Sequence, residues 1–173
     1  MSYYFVIVSP TDTPLFEHQF GTSKQGGDGI ARFRLASHRH MNQLIAHAAL
    51  DPATDLQWLS GAQYLRAVDA SHGLHVSCFV TGSGVRFLLL HDPASPTLAL
   101  GSGSGPGGGR GAAGTGVPAN PTSPAAEEAV RLFLGEVYEA WLKAVMNPFQ
   151  SVGGRIGSQV FRTRVAAAGK KHL

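Results

Sequence analysis

Cysteine is nearly absent from this sequence, and that decides several questions before any motif is read. With one cysteine, Cys78, among 173 residues, no intramolecular disulfide can form. Cys78 lies in an alternating apolar run and reads as a small buried hydrophobe in a reducing compartment, the cytosol. A chain of this length can bury a core that folds without disulfide or metal staples, and it fits one domain. Equally missing is any apolar stretch approaching the roughly 20 residues that span a bilayer. Any membrane role is therefore expected to be peripheral or through partners. The opening segment, MSYYFVIVSP, lacks a basic lead-in and a small-residue cleavage pattern, so it reads as a strand rather than a secretory leader. Net charge is only +3, and the basic residues are scattered, grouped at most in pairs such as Arg162/Arg164 and Lys170/Lys171. Without a basic stripe interleaved with aromatics, a nucleic-acid partner is not expected.

The parts of an active site are also in short supply. No Gly-Lys-Ser/Thr sequence exists for a nucleoside triphosphate. Gly103-Ser104-Gly105-Pro106-Gly107-Gly108 formally matches a dinucleotide-binding pattern. A working loop of that kind runs directly from a strand into a helix, and this one adjoins neither. No nucleophile elbow occurs between a strand and a helix. His38, His40 and His47 all fall on the first helical segment, and His40 and His47, seven apart, can share a face. Helical metal pairs use i, i+3 or i, i+4 spacing, and no cysteine or carboxylate stands at ligand spacing there. These histidines read as local hydrogen-bonding groups. His91-Asp92 at a strand end reads as turn chemistry, and as a hydrolase site only if a pocket brings them a nucleophile or metal. The expectation is a non-enzyme without cofactor or metal.

What is present is periodicity. Tyr3 to Val8 is nearly continuously apolar, as in a central strand covered on both faces. Ser9 to Pro14 forms a turn, and Leu15 to Phe20 alternates, with Phe16 and Phe20 on one face and Glu17 and Gln19 on the other. After a loop over Gly21 to Gly29, Met41, Leu44, Ile45 and Ala48 recur at helical spacing behind Ser37, a candidate N-cap. Pro52 is expected to stop that helix at Asp51. Three strands follow as a meander, Gln63 to Asp69, Leu74 to Thr81 and Val85 to His91.

From Pro93 to Pro124 the chain carries nine glycines, six prolines and a single charge, Arg110. It reads as a flexible insertion inside the one domain, since neither flank is complete alone. Beyond it, Val130, Phe133, Leu134, Val137, Tyr138, Trp141 and Val145 form a helical stripe ended by Asn147-Pro148. Ser158 caps a last helix with Phe161, Val165 and Ala168 inward and Gly169 at its C′ position. Without the insertion the order is ββαβββαα.

One residue admits two explanations. A carboxylate at a helix C-terminus opposes the macrodipole by about 0.3 to 1 kcal/mol, so Asp51 invites a cationic partner. Alternatively, Asp51-Pro52 are the N-cap and N1 of a following turn, where the same charge is favourable.

The segment His38-Arg39-His40-Met41-Asn42-Gln43-Leu44-Ile45-Ala46-His47-Ala48-Ala49-Leu50-Asp51 resembles the first helix of the sedlin family, the longin-like subunit 2 of the TRAPP complex. Further blocks run in the family's order from end to end. They are Tyr4-Phe5-Val6-Ile7-Val8, Trp58-Leu59-Ser60 with Tyr64-Leu65, Val76-Ser77 with Phe79-Val80-Thr81, Arg86-Phe87 with Leu90-His91-Asp92, Met146-Asn147-Pro148-Phe149, and Gly169-Lys170-Lys171-His172-Leu173. Ser37 stands where the family usually has an acidic residue and Pro52 where it has an aliphatic one. Gly73-Leu74 replaces bulkier residues, and short members lack the insertion.

The resemblance implies an α+β longin-like fold: a five-stranded antiparallel sheet in the order 2-1-5-4-3, with one helix on one face and two on the other. It implies a non-catalytic adaptor subunit of a vesicle-tethering and Rab-exchange complex acting between endoplasmic reticulum and Golgi. The partners would be core neighbours and larger complex-specific subunits, with Rab GTPase and SNARE contacts only indirect or weak. The location would be cytoplasmic, peripheral at both membranes. The expected partner-binding residues are His40, Gln43, His47 and Asp51. A longin-type regulator of SNAREs or other trafficking proteins outside that complex is the alternative, and would be expected to carry a coiled-coil heptad segment and a membrane anchor.

Overall fold

The computed structural model describes residues 2–21, 33, 39–93, 123–151 and 153–173. Most of the insertion (94–122), the loop over 22–29, and the positions of Ser37 and His38 lie outside the described residues. The elements are β1 (Ser2–Val8), β2 (Pro14–Gly21), α1 (Arg39–Ala48), α2 (Leu50–Leu59), β3 (Tyr64–Ser71), β4 (Leu74–Val80), β5 (Arg86–Asp92), α3 (Pro124–Val145) and α4 (Gln159–His172).

The strands form one antiparallel sheet in the order β2-β1-β5-β4-β3. β1 is buried along its whole length, as its unbroken apolar run requires. Alternation then assigns its side chains to two cores. Tyr3, Phe5 and Ile7 join Phe87 and Leu89 under α3 and α4. Tyr4, Val6 and Val8 join Val76, Cys78, Leu88 and Leu90 under α1 and α2. Cys78 is fully buried, and burial pushes its thiol up to about 12, so it behaves as a neutral hydrophobe. β3 is an edge strand, bent by register shifts near Arg66 and Ala67, with Arg66 at φ 59°. Such bends blunt an edge against further strand pairing.

α3 begins at Ser123, whose side chain accepts the Ala126 N–H at 3.2 Å, and has Pro124 in its first turn. The expected stripe is buried through Trp141, with Tyr138 packed against the core. Val145 departs from it and is 45 % exposed, because the helix ends there and the chain turns away. Ser158 caps α4 as expected, accepting the Phe161 N–H at 3.3 Å.

Gly169 is not the C′ residue. α4 continues to His172, and Gly169 is a helical position against which the Phe20 ring packs so closely that a Cβ would collide with it. Phe20 is itself held edge-on against Phe133, with centroids 5.5 Å apart. Gly169→Ala should therefore lower stability by about 1 to 2 kcal/mol despite alanine's better helix propensity, since overpacking costs about 1 to 3 kcal/mol and the propensity returns up to about 1. A urea titration showing equal or higher stability would contradict that packing.

The helix expected to stop at Asp51 does not stop there. Ala49 links α1 to α2 in right-handed helical geometry (φ −72°, ψ −8°). Its N–H donates to the Ile45 carbonyl at 3.0 Å, and its own carbonyl accepts from Ala53 at 3.2 Å. Pro52 lies in the first turn of α2 and removes one N–H, so it marks an interruption rather than an end. Asp51 is accordingly neither a helix terminus nor an N-cap. It stands in that first turn, on the favourable side of the macrodipole.

The buried face also differs from the expected one. Asn42, Ile45, Ala46, Ala49, Leu50 and Ala53 face the sheet, whereas Leu44 is 59 % exposed and Ala48 is exposed. Ile45 alone is shared by both stripes. Counting α1 and α2 as one interrupted helix, one helical unit covers one sheet face and two cover the other.

Candidate partner-binding surface

Helical phase carries across Ala49, and at about 100° per residue it sorts the whole α1–α2 unit into two sides. The sheet-facing side is the six-residue set just named. On the opposite side, within a band about 120° wide, fall His40, Leu44, His47, Ala48, Asp51, Asp55, Trp58 and Leu59, and every one of them is exposed. Trp58 and Leu59 are each 83 % exposed, an unusual state for a tryptophan and a leucine side by side. Their carboxylate neighbours, Asp51 and Asp55, are the only charged residues of α2.

Of the four residues expected at a partner interface, His40, His47 and Asp51 thus share this outer face. Gln43 lies on its flank and is committed within the molecule. Its amide donates to Glu17 Oε2 at 3.1 Å, the same oxygen that accepts from the Tyr4 hydroxyl at 3.1 Å. Gln43 therefore ties α1 to β2. Beside it a groove of about 210 Å³ opens between helix and hairpin, floored by Val6, Val8 and Leu50 and rimmed by Glu17, Gln43 and His47.

Arg86 on β5 holds the other end of the unit. One guanidinium nitrogen donates to Asp12 Oδ1 at 2.9 Å in the β1–β2 turn, and another donates to Thr54 Oγ1 at 3.1 Å on α2. Thr54 in turn donates to the Leu50 carbonyl at 2.8 Å. The second half of the helix is thereby fixed relative to the sheet. Asp55, Trp58, Leu59 and Arg86 were not among the expected site residues. The signal for the first three was the buried stripe continuing past Pro52, which puts Trp58 on the side opposite Ala53.

His91 and Asp92 are not in a turn. They close β5, pair with Tyr3 and Ser2 of β1, and are 4 % and 2 % exposed. The His91 ring stacks on Tyr3, with centroids 4.6 Å apart. Its Nε2 has no hydrogen-bond partner. Burial, then the fields of His75 across the sheet and of the terminal ammonium, lower its pKa to about 4, with Asp92 opposing. The neutral ring is thus a packing element. Among the described residues, no three His, Cys, Asp or Glu side chains are grouped to hold a metal ion, and no helix is long and apolar enough to cross a membrane.

Comparison with known proteins agrees with this architecture over nearly the whole chain. A family model described as Sedlin matches residues 7–171. The "Probable trafficking protein particle complex subunit 2" of Drosophila melanogaster is 28 % identical over 172 residues, covering 99 % of this chain and 97 % of that protein. The "Transport protein particle 20 kDa subunit" of Schizosaccharomyces pombe is 27 % identical over the full length of both. The Caenorhabditis elegans "Probable trafficking protein particle complex subunit 2" is 28 % identical, covering 99 % of this chain and 96 % of that one. With a matching sheet order, helices on both faces and an end-to-end family match, the chain belongs to the sedlin family.

Proposed function

We propose that this protein is a non-catalytic adaptor subunit of the TRAPP vesicle-tethering and Rab-exchange complex. It acts in transport from endoplasmic reticulum to Golgi by linking the core of the complex to larger, complex-specific subunits. It works on the cytoplasmic side of those membranes, held there through the assembly, and meets Rab GTPases and SNAREs only through its neighbours. The observation that carries this reading is the end-to-end match with relatives named as trafficking-particle subunits in fly, worm and fission yeast. The exposed α1–α2 face, carrying His40, His47 and Asp51, supplies a surface for such a neighbour.

The test is purification of the tagged full-length chain from its own cells. Other trafficking-particle subunits should co-elute in fixed proportion. A chain that elutes alone, or with SNAREs and no such subunit, contradicts the proposal. Within that experiment, Asp51→Lys should reduce capture of a neighbour at least about tenfold, as reversal of a contact charge does. The domain should keep its fold, losing only about 0.3 to 1 kcal/mol from the first turn of α2. Undiminished co-purification removes Asp51 from the interface.

A further inference from the structure

On the α3–α4 side of the sheet, a second groove encloses about 590 Å³, against about 210 Å³ for the one beside Gln43. Sites for small molecules run from about 300 to 1,000 Å³. The back wall is the rim of the aromatic core: Leu15, Val85, Trp141 and Ile156 line it, each 6 to 7 % exposed, with the more open Val145 beside them. Separately braced segments frame this wall. In the β1–β2 turn, Ser9 Oγ accepts the Thr11 and Thr13 N–H groups at 3.2 and 3.1 Å. In the β4–β5 turn, Thr81 Oγ1 accepts the Val85 N–H at 3.0 Å. Between α3 and α4, the Ile156 N–H donates to the Leu15 carbonyl at 2.9 Å, and the Gln150 amide donates to the Gly154 carbonyl at 3.4 Å. The groove is therefore formed before anything enters it.

Its chemistry says what it holds. Among the described residues no charged side chain lines it, and its polar groups are hydroxyls, the Gln150 amide and glycine backbone. An ion would be desolvated there without a counter-charge, so nucleotides, phosphates and carboxylates are poor occupants. Trp141 adds a specific demand. It is 7 % exposed, and its indole N–H is buried without a hydrogen-bond partner. An indole nitrogen can only donate, and this one is already dry, so an acceptor that reaches it displaces no water from it. We infer that the groove binds a neutral small molecule with an apolar body and one carbonyl- or ether-type oxygen. The body lies against Leu15, Val85, Val145 and Ile156, and the oxygen accepts from the Trp141 indole as the ring turns toward the groove. This site is independent of the adaptor reading.

Prodan, a neutral naphthalene carrying one ketone, is the probe, and the full-length chain with Trp58→Phe leaves Trp141 as the only tryptophan. That chain should bind prodan at one saturable site with a Kd on the order of 10 µM, quenching Trp141 emission as the site fills. Val145→Glu sets a carboxylate in the neutral wall at a position already 45 % exposed. It should weaken binding about tenfold or more with an unchanged melting temperature. Trp141→Phe, read by prodan emission, should weaken binding of prodan about fivefold but leave dimethylaminonaphthalene, the same body without the ketone, unaffected. The inference is overturned if no saturable binding appears below about 100 µM, or if Val145→Glu binds like the native chain. Equal losses of both probes in Trp141→Phe also overturn it. So does a groove open to prodan in the free native chain and closed in its purified complex, which would give the site to a neighbouring protein.

Discussion

Phe133→Ala should destabilise the domain by about 3 to 5 kcal/mol, the loss that truncating a fully buried aromatic brings. Phe133 is fully buried at the meeting point of α3 with the sheet. Its ring stands edge-on to Phe5 at 5.4 Å and to Phe20 at 5.5 Å, and Phe5 in turn neighbours Phe16 and Phe87. Truncation removes the apolar burial and also leaves a cavity between aromatics that are held from several sides, so collapse to fill it is restricted. For a chain of this size the melting temperature should fall by on the order of 10 °C. Leu132→Ala, one residue away on the same helix but 51 % exposed, serves as the control and should stay within about 0.5 kcal/mol. Similar losses for the two variants would mean that helix propensity, and not the aromatic core, sets the stability of α3.

Acid should weaken the fold through His91. The folded-state pKa is lowered from 6.5 to about 4, so below about pH 6.5 the unfolded chain takes up a proton that the native chain refuses. Stability therefore falls as the pH is lowered from about 6.5 to about 4, by up to roughly 3 kcal/mol, and His91 contributes no pH dependence above that window. His91→Phe keeps a ring against Tyr3 and removes both the proton site and the unpartnered Nε2. Urea midpoints measured from pH 7 to pH 4 should fall more steeply for the native chain than for the variant. Parallel curves would show that the buried ring does not control the acid limb. At pH 7 the variant should be no less stable, because an unsatisfied buried nitrogen is no longer carried in the core.

Much of the fold was legible because its signals are local. The apolar runs of β1 and β5, the alternation in β2 and β4, and the Ser158 cap each act within a few residues of the structure they specify. The sheet order came from a different source, the family resemblance, since residues adjacent in the sheet such as Ile7 and Phe87 are far apart in sequence.

The errors also share a cause. Met41, Leu44, Ile45 and Ala48 make a plausible inward stripe, and a polar Asn42 argues against the competing one. Only docking on the sheet shows that Asn42, Ile45, Ala46 and Ala49 are the face that fits. Pro52 carries a local penalty of one lost hydrogen bond, but burial of Leu50 and Ala53 and the Arg86 to Thr54 tie hold the helical path beyond it. Gly169 resembles a helix stop by composition, and the space taken by Phe20 gives it another role.

The sequence by itself determined the class of this protein: an α+β domain whose only cysteine is inert, with strands and the Ser158 cap at stated positions and His40, His47 and Asp51 on one helix. Those conclusions rest on residue type and short-range spacing, which any local segment carries with it. The tertiary structure decided which side of that helix faces outward, and that it runs on to Trp58 and Leu59. It also decided that Gln43 is spent on Glu17 and that His91 is a buried ring. Each of these depends on what a distant segment places opposite the residue, and burial against a distant segment is a property of the folded surface rather than of the chain near it.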